Sequence, residues 1–328
     1  MKEVTVPVWK PSMCNPLYSM EEELYSVQIG PNTITTLEGT TAGLPTIGSS
    51  GVWGDSGARF TDMEGTPIAA DVIYFSNHED KFYRVKIDFG VEFMKKAVAE
   101  KYYNDEEKTD IEGEDRGTFC GLIFGFAPQG MVVVWRSYGV GSFKIEIGRY
   151  QAEVIKDDKE LEKNMFPPEG MSRKKVVAMY VMPQPVTCEK WDLYRKRYNL
   201  KIETVSENKG FRLFESIREN YNGEFLFEFR PEILNQTYSP KALPKRVIVY
   251  WETALNQTFQ GNLFFNEKEL FEKFKNLKPN DNQDLQIKIA ENNASIEVLL
   301  NNEPLKMDSI KIWGRDGHGD KVYKESYK

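Results

Sequence analysis

The sequence is poor in the residues that most chemistry near neutral pH requires. Only two histidines and three cysteines occur among 328 residues, so imidazole acid–base catalysis has two possible positions. Cys14, Cys120 and Cys188 lie far apart, with no Cys-x-x-Cys and no histidine at ligand spacing, which argues against a disulfide framework or a zinc site. Cys120, inside an apolar alternating run, reads as a small core residue. There is no Gly-x-Ser-x-Gly elbow, Walker loop or His-Glu-x-x-His, and the glycines from Gly48 to Gly57 do not stand between a strand and a helix as a phosphate cradle must. No run approaches the roughly 20 apolar residues of a membrane-spanning helix. Positive charge is also short. Lys and Arg number 43 against 50 Asp and Glu, a net charge of −7, and the basic residues are scattered, which argues against nucleic acid as a partner. No cofactor is implied.

The first residues, Met1 to Pro7, lack the apolar segment of a signal peptide, and Lys10-Pro11-Ser12-Met13 before Cys14 is not a lipoprotein motif. The expectation is a cytoplasmic chain, or a periplasmic or cell-envelope one if an export signal has been removed. Membrane attachment would need a lipid anchor that this chain does not carry.

What is present is period-2 alternation. Short apolar–polar runs bounded by Gly, Pro, Asn and Asp recur along the sequence, with few helical stripes between them. Val72-Ile73-Tyr74-Phe75 aligns without a gap to Ile248-Val249-Tyr250-Trp251 and on through the helices that follow. The next strand carries Tyr83, Val85, Ile87 and Phe89 in one half, and Phe259, Gly261, Leu263 and Phe265 in the other. A helix then starts near Gly90 with Val91, Met94 and Val98 on one stripe. Its counterpart follows Asn266, with Glu269 three residues on as in a capping box, and carries Leu270, Phe274 and Leu277. Hairpins follow, Phe119 to Ala127 with Met131 to Tyr138 and Leu285 to Ala290 with Ala294 to Asn301, and a closing strand matches Ile145 and Ile147 to Ile310 and Ile312. The expected fold is α+β and rich in antiparallel strands, built from two related strand-strand-helix-strand-strand-strand units with a helix packed on each sheet. Domain boundaries are expected at 1–182 and 183–328, the second a divergent copy, with a strand over Val176 to Val181 near the junction.

Gly125-Phe126-Ala127-Pro128-Gln129-Gly130 leading into Met131-Val132-Val133-Val134-Trp135, then Glu146-Ile147-Gly148-Arg149-Tyr150-Gln151, resembles a bacterial family, domain of unknown function 2931. Val72-Ile73-Tyr74-Phe75-Ser76 resembles that family's upstream strand ending in an aromatic residue and Ser, and the likeness covers roughly residues 25 to 155. Gln129 replaces a family Gly, and Phe75 stands where Trp is usual. The resemblance supplies no established chemistry. Some relatives are encoded beside lipase toxins of contact-dependent secretion systems, so it implies a possible immunity role with a protein toxin as partner.

Candidate residues follow from loops and turns. The long irregular region from Glu38 to Arg59 is of the length that is usually functional or disordered. Phe75, Trp135 and Trp251 alternate toward the core, which leaves Trp53 as the aromatic expected to be exposed. Trp53, Asp55 and Arg59 in this loop, with Arg149 on the Gly-Arg strand, are the candidate partner-binding residues. No catalytic residue is assigned. His78 in Asn77-His78-Glu79-Asp80 reads as a solvated hairpin-loop residue. Asp316, His318 and Asp320 are weak metal candidates, too few in ligands for calcium or zinc. The leading expectation is a non-enzymatic binding protein. The alternatives are a glycan-binding or cell-envelope protein, whose partner would be an envelope component, and a metal-dependent hydrolase using the Asp316–His318–Asp320 cluster.

Overall fold

Short runs of β-branched and aromatic residues become strands in a computed structural model, which describes residues 6–17, 24–46, 49–57, 61–100, 102, 117–139, 143–181, 186–229, 232–253 and 257–315. Strands take 50% of the chain and helices 15%, so the α+β expectation holds in a strand-dominated, mainly antiparallel form. The chain divides into two compact units, Met1–Trp191 and Asp192–Lys328.

Unit 1 contains β1 (Val8–Cys14), β2 (Val27–Thr36), β3 (Thr41–Ala42), β4 (Met63–Glu64), β5 (Pro67–Ser76), β6 (Lys81–Asp88), α1 (Val91–Ala99), β7 (Phe119–Ala127), β8 (Met131–Tyr138), β9 (Phe143–Gln151) and β10 (Glu153–Val154), then α2 (Lys159–Met165), α3 (Arg173–Ala178) and α4 (Glu189–Tyr194), the last crossing into unit 2. One sheet runs β10-β6-β5-β2-β3. The strands β9-β8-β7-β1-β4 are joined in a second, where β1 lies parallel to β7 with Lys10 opposite Gly121. Aromatic residues hold the sheets face to face, Tyr74 of β5 meeting Phe126 of β7 at 4.7 Å between ring centroids. Of the expected stripe on α1, Met94 is buried, with Ala97 beside it, while Val91 and Val98 are half-buried.

The β7–β8 turn shows how sequence sets the frame. Met131 N–H donates to Pro128 O (3.2 Å), and Gln129 (φ 60°) and Gly130 (φ 74°) between them are both left-handed. Left-handed residues at the turn give the twist that suits a tight β-hairpin. A side chain at Gly130 would also put Cβ 2.7 Å from Ala152 O.

On the outer face of β5 and β6, Phe75 and Phe82 form a cluster with Phe166 and Val176. Arg173 lies 5.2 Å from both Phe75 and Phe82 ring centroids and pairs with Asp80 (2.6 Å), Asp158 (2.7 Å) and Glu162 (3.0 Å). This corrects the strand expected over Val176 to Val181, since residues 173–178 form α3. The apolar run Val176-Val177-Ala178-Met179-Tyr180-Val181 suggests a strand, but burial of Val176 on the phenylalanines, with Val177 and Tyr180 packed beside it, selects a helical spacing.

Unit 2 contains β11 (Arg197–Ser206), β12 (Arg212–Asn220), β13 (Phe225–Phe229), a 3-10 turn at Glu232–Leu234, β14 (Ser239–Ala242), β15 (Pro244–Glu252), β16 (Thr258–Phe265), α5 (Glu267–Lys275), β17 (Gln283–Ile289), β18 (Ile296–Leu300), β19 (Glu303–Pro304) and β20 (Met307–Arg315). Its strands join in the orders β13-β12-β15-β16-β20 and β14-β11-β17-β18-β19. Asn266 Oδ1 accepts the Glu269 N–H at 2.8 Å, the N-cap expected from sequence, and Leu270 and Phe274 are buried. Trp251 is buried and its Nε1–H donates to Asn293 Oδ1 at 2.9 Å.

The pairings of unit 2 follow those of unit 1 with each strand number raised by ten, including the parallel neighbours β1·β7 and β11·β17. The closing strand departs from the expectation. β9, with Ile145 and Ile147, pairs with β8, whereas β20, with Ile310 and Ile312, pairs with β16 and so occupies the place of β10. Period-2 alternation marks a strand but does not say which edge it joins.

Candidate functional site

The glycine-rich stretch is a strap along β1. Asn15 N–H donates to Ser50 O (2.9 Å), Ser50 N–H to Met13 O (3.2 Å) and Gly57 N–H to Met13 O (3.2 Å). A turn closed by Asp55 N–H to Val52 O (3.0 Å) holds left-handed Gly54 (φ 78°), whose N–H points at Cys14 Sγ (3.3 Å). Ser49 Oγ donates to Asn15 Oδ1. These bonds satisfy backbone groups that a loop against a sheet edge would otherwise bury unpaired.

Trp53 is half-buried, which corrects the expectation of an exposed ring. Its edge meets Trp135 at 5.0 Å and 90°, and Trp191 lies 6.2 Å away. Gly125 makes this possible. A Cβ there would lie 2.6 Å from Trp135 Cζ3 and 2.8 Å from Trp53 Cζ3, so two indoles occupy the space a side chain would take. Alternation leaves a residue in an irregular loop unassigned, and this one is drawn inward by aromatic packing. The signal that would have found it is a lone glycine inside an apolar strand, the mark of close approach. Trp53 Nε1 is buried with no hydrogen-bond partner among the described residues.

Asp55 pairs with Lys144 of β9 at 3.2 Å, the lysine side chain being 10% exposed and the carboxylate 45%. Nothing in the sequence marks Lys144 as this partner, because the two residues are distant along the chain. Cys14 is fully buried, and burial pushes its thiol up to about 12, against the Gly54 N–H that favours the thiolate.

Arg149 clamps the turn region. Its Nη1 donates to Gln151 Oε1 (2.8 Å) and its Nη2 reaches Cys188 Sγ (4.0 Å), while Gln151 Nε2 donates to Gln129 O (2.7 Å). Trp53 and Arg149 therefore both reach the segment 186–191, one through Trp191 and the other through Cys188. Arg59, Asp316, His318 and Asp320 lie outside the described residues. Among the described residues no group of three or more His, Cys, Asp or Glu could hold a metal ion, and no helix is long and apolar enough to cross a membrane.

Glu79 is a hub that sequence reasoning missed. Its carboxylate accepts from Tyr25 Oη (2.5 Å), Tyr83 Oη (3.0 Å) and Gln129 N (3.0 Å), tying the β5–β6 hairpin to the β7–β8 turn. Burial, reinforced by this carboxylate, raises the Tyr25 and Tyr83 phenols well above their ordinary value, which keeps them neutral donors. His78 is not a solvated loop residue. It stacks on Tyr25 at 5.4 Å, and its Nδ1 accepts the Ser26 N–H at 3.2 Å. Burial lowers its pKa.

No curated protein and no solved structure matches the chain. A family model described as "Protein of unknown function (DUF2931)" matches residues 5–213, which takes in β1, the strap, the Gly125–Gly130 turn and the Gly148-Arg149 strand. With more than half of its length matched by that model, and with the turn and strand that carry the likeness inside the match, the chain belongs to the DUF2931 family.

Proposed function

We propose that this chain is a binding protein without enzymatic activity, that its partner-facing surface is the strap at residues 49–57 with the neighbouring hairpin ends, and that the partner is a secreted lipase-type toxin which it neutralises. One observation carries the placement. The strap is fixed to β1 by backbone bonds and by Trp53, yet it leaves Val52 47% exposed and the Asp55 carboxylate 45% exposed. A loop ordered before contact loses little conformational freedom on binding. The immunity role draws on the family resemblance. The test is capture by the tagged full chain from the native bacterium, with the product of the adjacent gene assayed directly. A stoichiometric toxin complex weakened by Val52→Asp and Asp55→Lys is expected. A complex indifferent to both substitutions would remove the strap, and capture of no toxin would remove the immunity role.

We also infer that the two units are divergent copies of one ancestral unit. The shared pairing order supports this, as does a helix after the corresponding strand in each, α1 after β6 and α5 after β16. Sequence profiles built separately from relatives of each unit are expected to detect one another. Profiles that remain mutually silent would count against common descent.

A further inference from the structure

A second collection of chemistry lies on the outer face of the first sheet of unit 1, apart from the strap. Where Phe166 and Val176 cover Phe75 and Phe82 this face is closed. Farther along the same strands it opens into a groove of about 530 Å³ lined by Thr33 and Thr35 of β2, Asp71 and Ile73 of β5, and Arg84 and Lys86 of β6. That volume lies within the roughly 300–1,000 Å³ of small-ligand sites. The register places Thr33, Asp71 and Lys86 in one row across three strands and Ile73 opposite Arg84 in the next. Because side chains alternate along a strand, Arg84 and Lys86 project from the same face. The short side chains of Ala69 and Ala70 also line the groove.

The polar groups are unevenly matched. Asp71 takes Arg84 Nε (2.8 Å) and Nη2 (2.6 Å) on its two oxygens, and these bonds hold its carboxyl below the ordinary value. This pairing fixes the guanidinium plane and leaves Nη1 without a partner among the described residues. Lys86 makes no hydrogen bond or ion pair among them either. Glu153 of β10 stands opposite Arg84 but outside the lining, and Asp88 Oδ1 is taken by the Gly90 N–H at 2.8 Å. The lining thus holds two cations to one carboxylate whose oxygens are already engaged, in a chain whose net charge is −7. What the lining lacks is a free carboxylate to match its second cation.

We infer that this groove binds a small, hydroxyl-rich oxyanion, with its carboxylate or phosphate on Arg84 Nη1 and Lys86 Nζ and its hydroxyls against Thr33 and Thr35. Charge-assisted bonds to a pre-oriented guanidinium supply the affinity, and the threonine hydroxyls, able to donate or accept, supply the preference for a polyol. The site is independent of the strap and of the partner proposed for it.

The test is an NMR titration of the full chain with galacturonate trimer, inorganic phosphate and neutral maltotriose. The amides of Thr33, Thr35 and Ala69 are expected to shift saturably with an oxyanion probe. Lys86→Gln is expected to weaken binding about tenfold, and Lys86→Arg to keep it within about threefold. Lys86 is exposed, so both variants fold, and an unchanged unfolding midpoint verifies this. Binding of galacturonate alone assigns a carboxylated saccharide, whereas displacement of galacturonate by phosphate shows that the oxyanion group suffices. The inference is overturned if neither anion shifts these amides by about 10 mM, if maltotriose binds as tightly as galacturonate, or if Lys86→Gln binds as the parent does.

Discussion

Between β3 and β4 of unit 1 runs the stretch that holds the strap, residues 43–62. Between β13 and β14 of unit 2, at the same point in the pairing order, is a shorter connection that carries the Glu232–Leu234 turn. Strand lengths differ in the same way. β9 is long and β10 has two residues, whereas β19 has two residues and β20 runs for nine. The hydrogen-bonded pairing order is the same in both units, but the connections and strand lengths differ, and the candidate residues within the described chain all lie in unit 1. Frames are limited by backbone satisfaction and core packing, while loops on a rigid frame can vary and so acquire binding roles.

The comparison is best broken at its two glycines. Gly125→Ala drives a methyl into two rigid indoles and is expected to cost about 3 kcal/mol. Gly261→Ala meets the flexible end of Ile296 at 2.8 Å and Trp251 at 3.2 Å, and is expected to cost about 1 kcal/mol. Denaturant unfolding of each variant measures the difference, and equal losses would mean that the indole wedge gives unit 1 no special rigidity. Next in size is Glu79→Ala, which strips acceptors from two tyrosines and the Gln129 N–H. A loss of about 2 kcal/mol is expected, with hydrogen exchange rising first in the β5–β6 and β7–β8 turns, and protection unchanged at Gln129 would contradict the hub. Smaller and opposite in sign is Gln129→Gly. A left-handed position occupied by a side chain costs about 1 kcal/mol, so the glycine variant should melt later, unless loss of the Gln129 contacts to Cys188 offsets the gain.

The smallest effect is a pH dependence confined to unit 1. Burial lowers the His78 pKa, so the unfolded chain takes a proton at a higher pH than the folded one. The stabilising contribution is complete above the ordinary imidazole value and is lost as pH falls through the lowered one. Protonation at Nδ1 also removes the acceptor of the Ser26 N–H. Unfolding midpoints taken between pH 7 and 5 should fall for the parent chain and fall less for His78→Gln, and parallel slopes would remove His78 as the source.

Much of this frame was legible in the sequence for a local reason. Val72 to Phe75, the Phe119–Tyr138 hairpin and the helix after Asn266 are fixed by neighbours close along the chain, through alternation, turn residues and an N-cap. The burial of Trp135 and Trp251 followed from the same alternation. What was not legible depends on distant partners. α3 forms because Phe75 and Phe82 offer it a surface, β20 joins β16 instead of a β8-like strand, and Trp53 turns inward because Gly125 leaves a gap. Lys144 meets Asp55, and Arg84 is fixed by Asp71, only once the strands are in register.

The parallel neighbours β1·β7 and β11·β17 set the order in which the chain can finish folding. β1 meets its parallel partner only when the stretch from Gly121 to Gly125 is present, and β11 meets its own only with Gln283 to Ile289. Each unit therefore opens with a strand that a later hairpin must collect, the kind of non-local closure that makes β-rich chains fold slowly. During synthesis the side of each first strand that β7 or β17 covers stays open until most of that unit has left the ribosome, a window in which a chaperone, or premature pairing with another strand, competes for it.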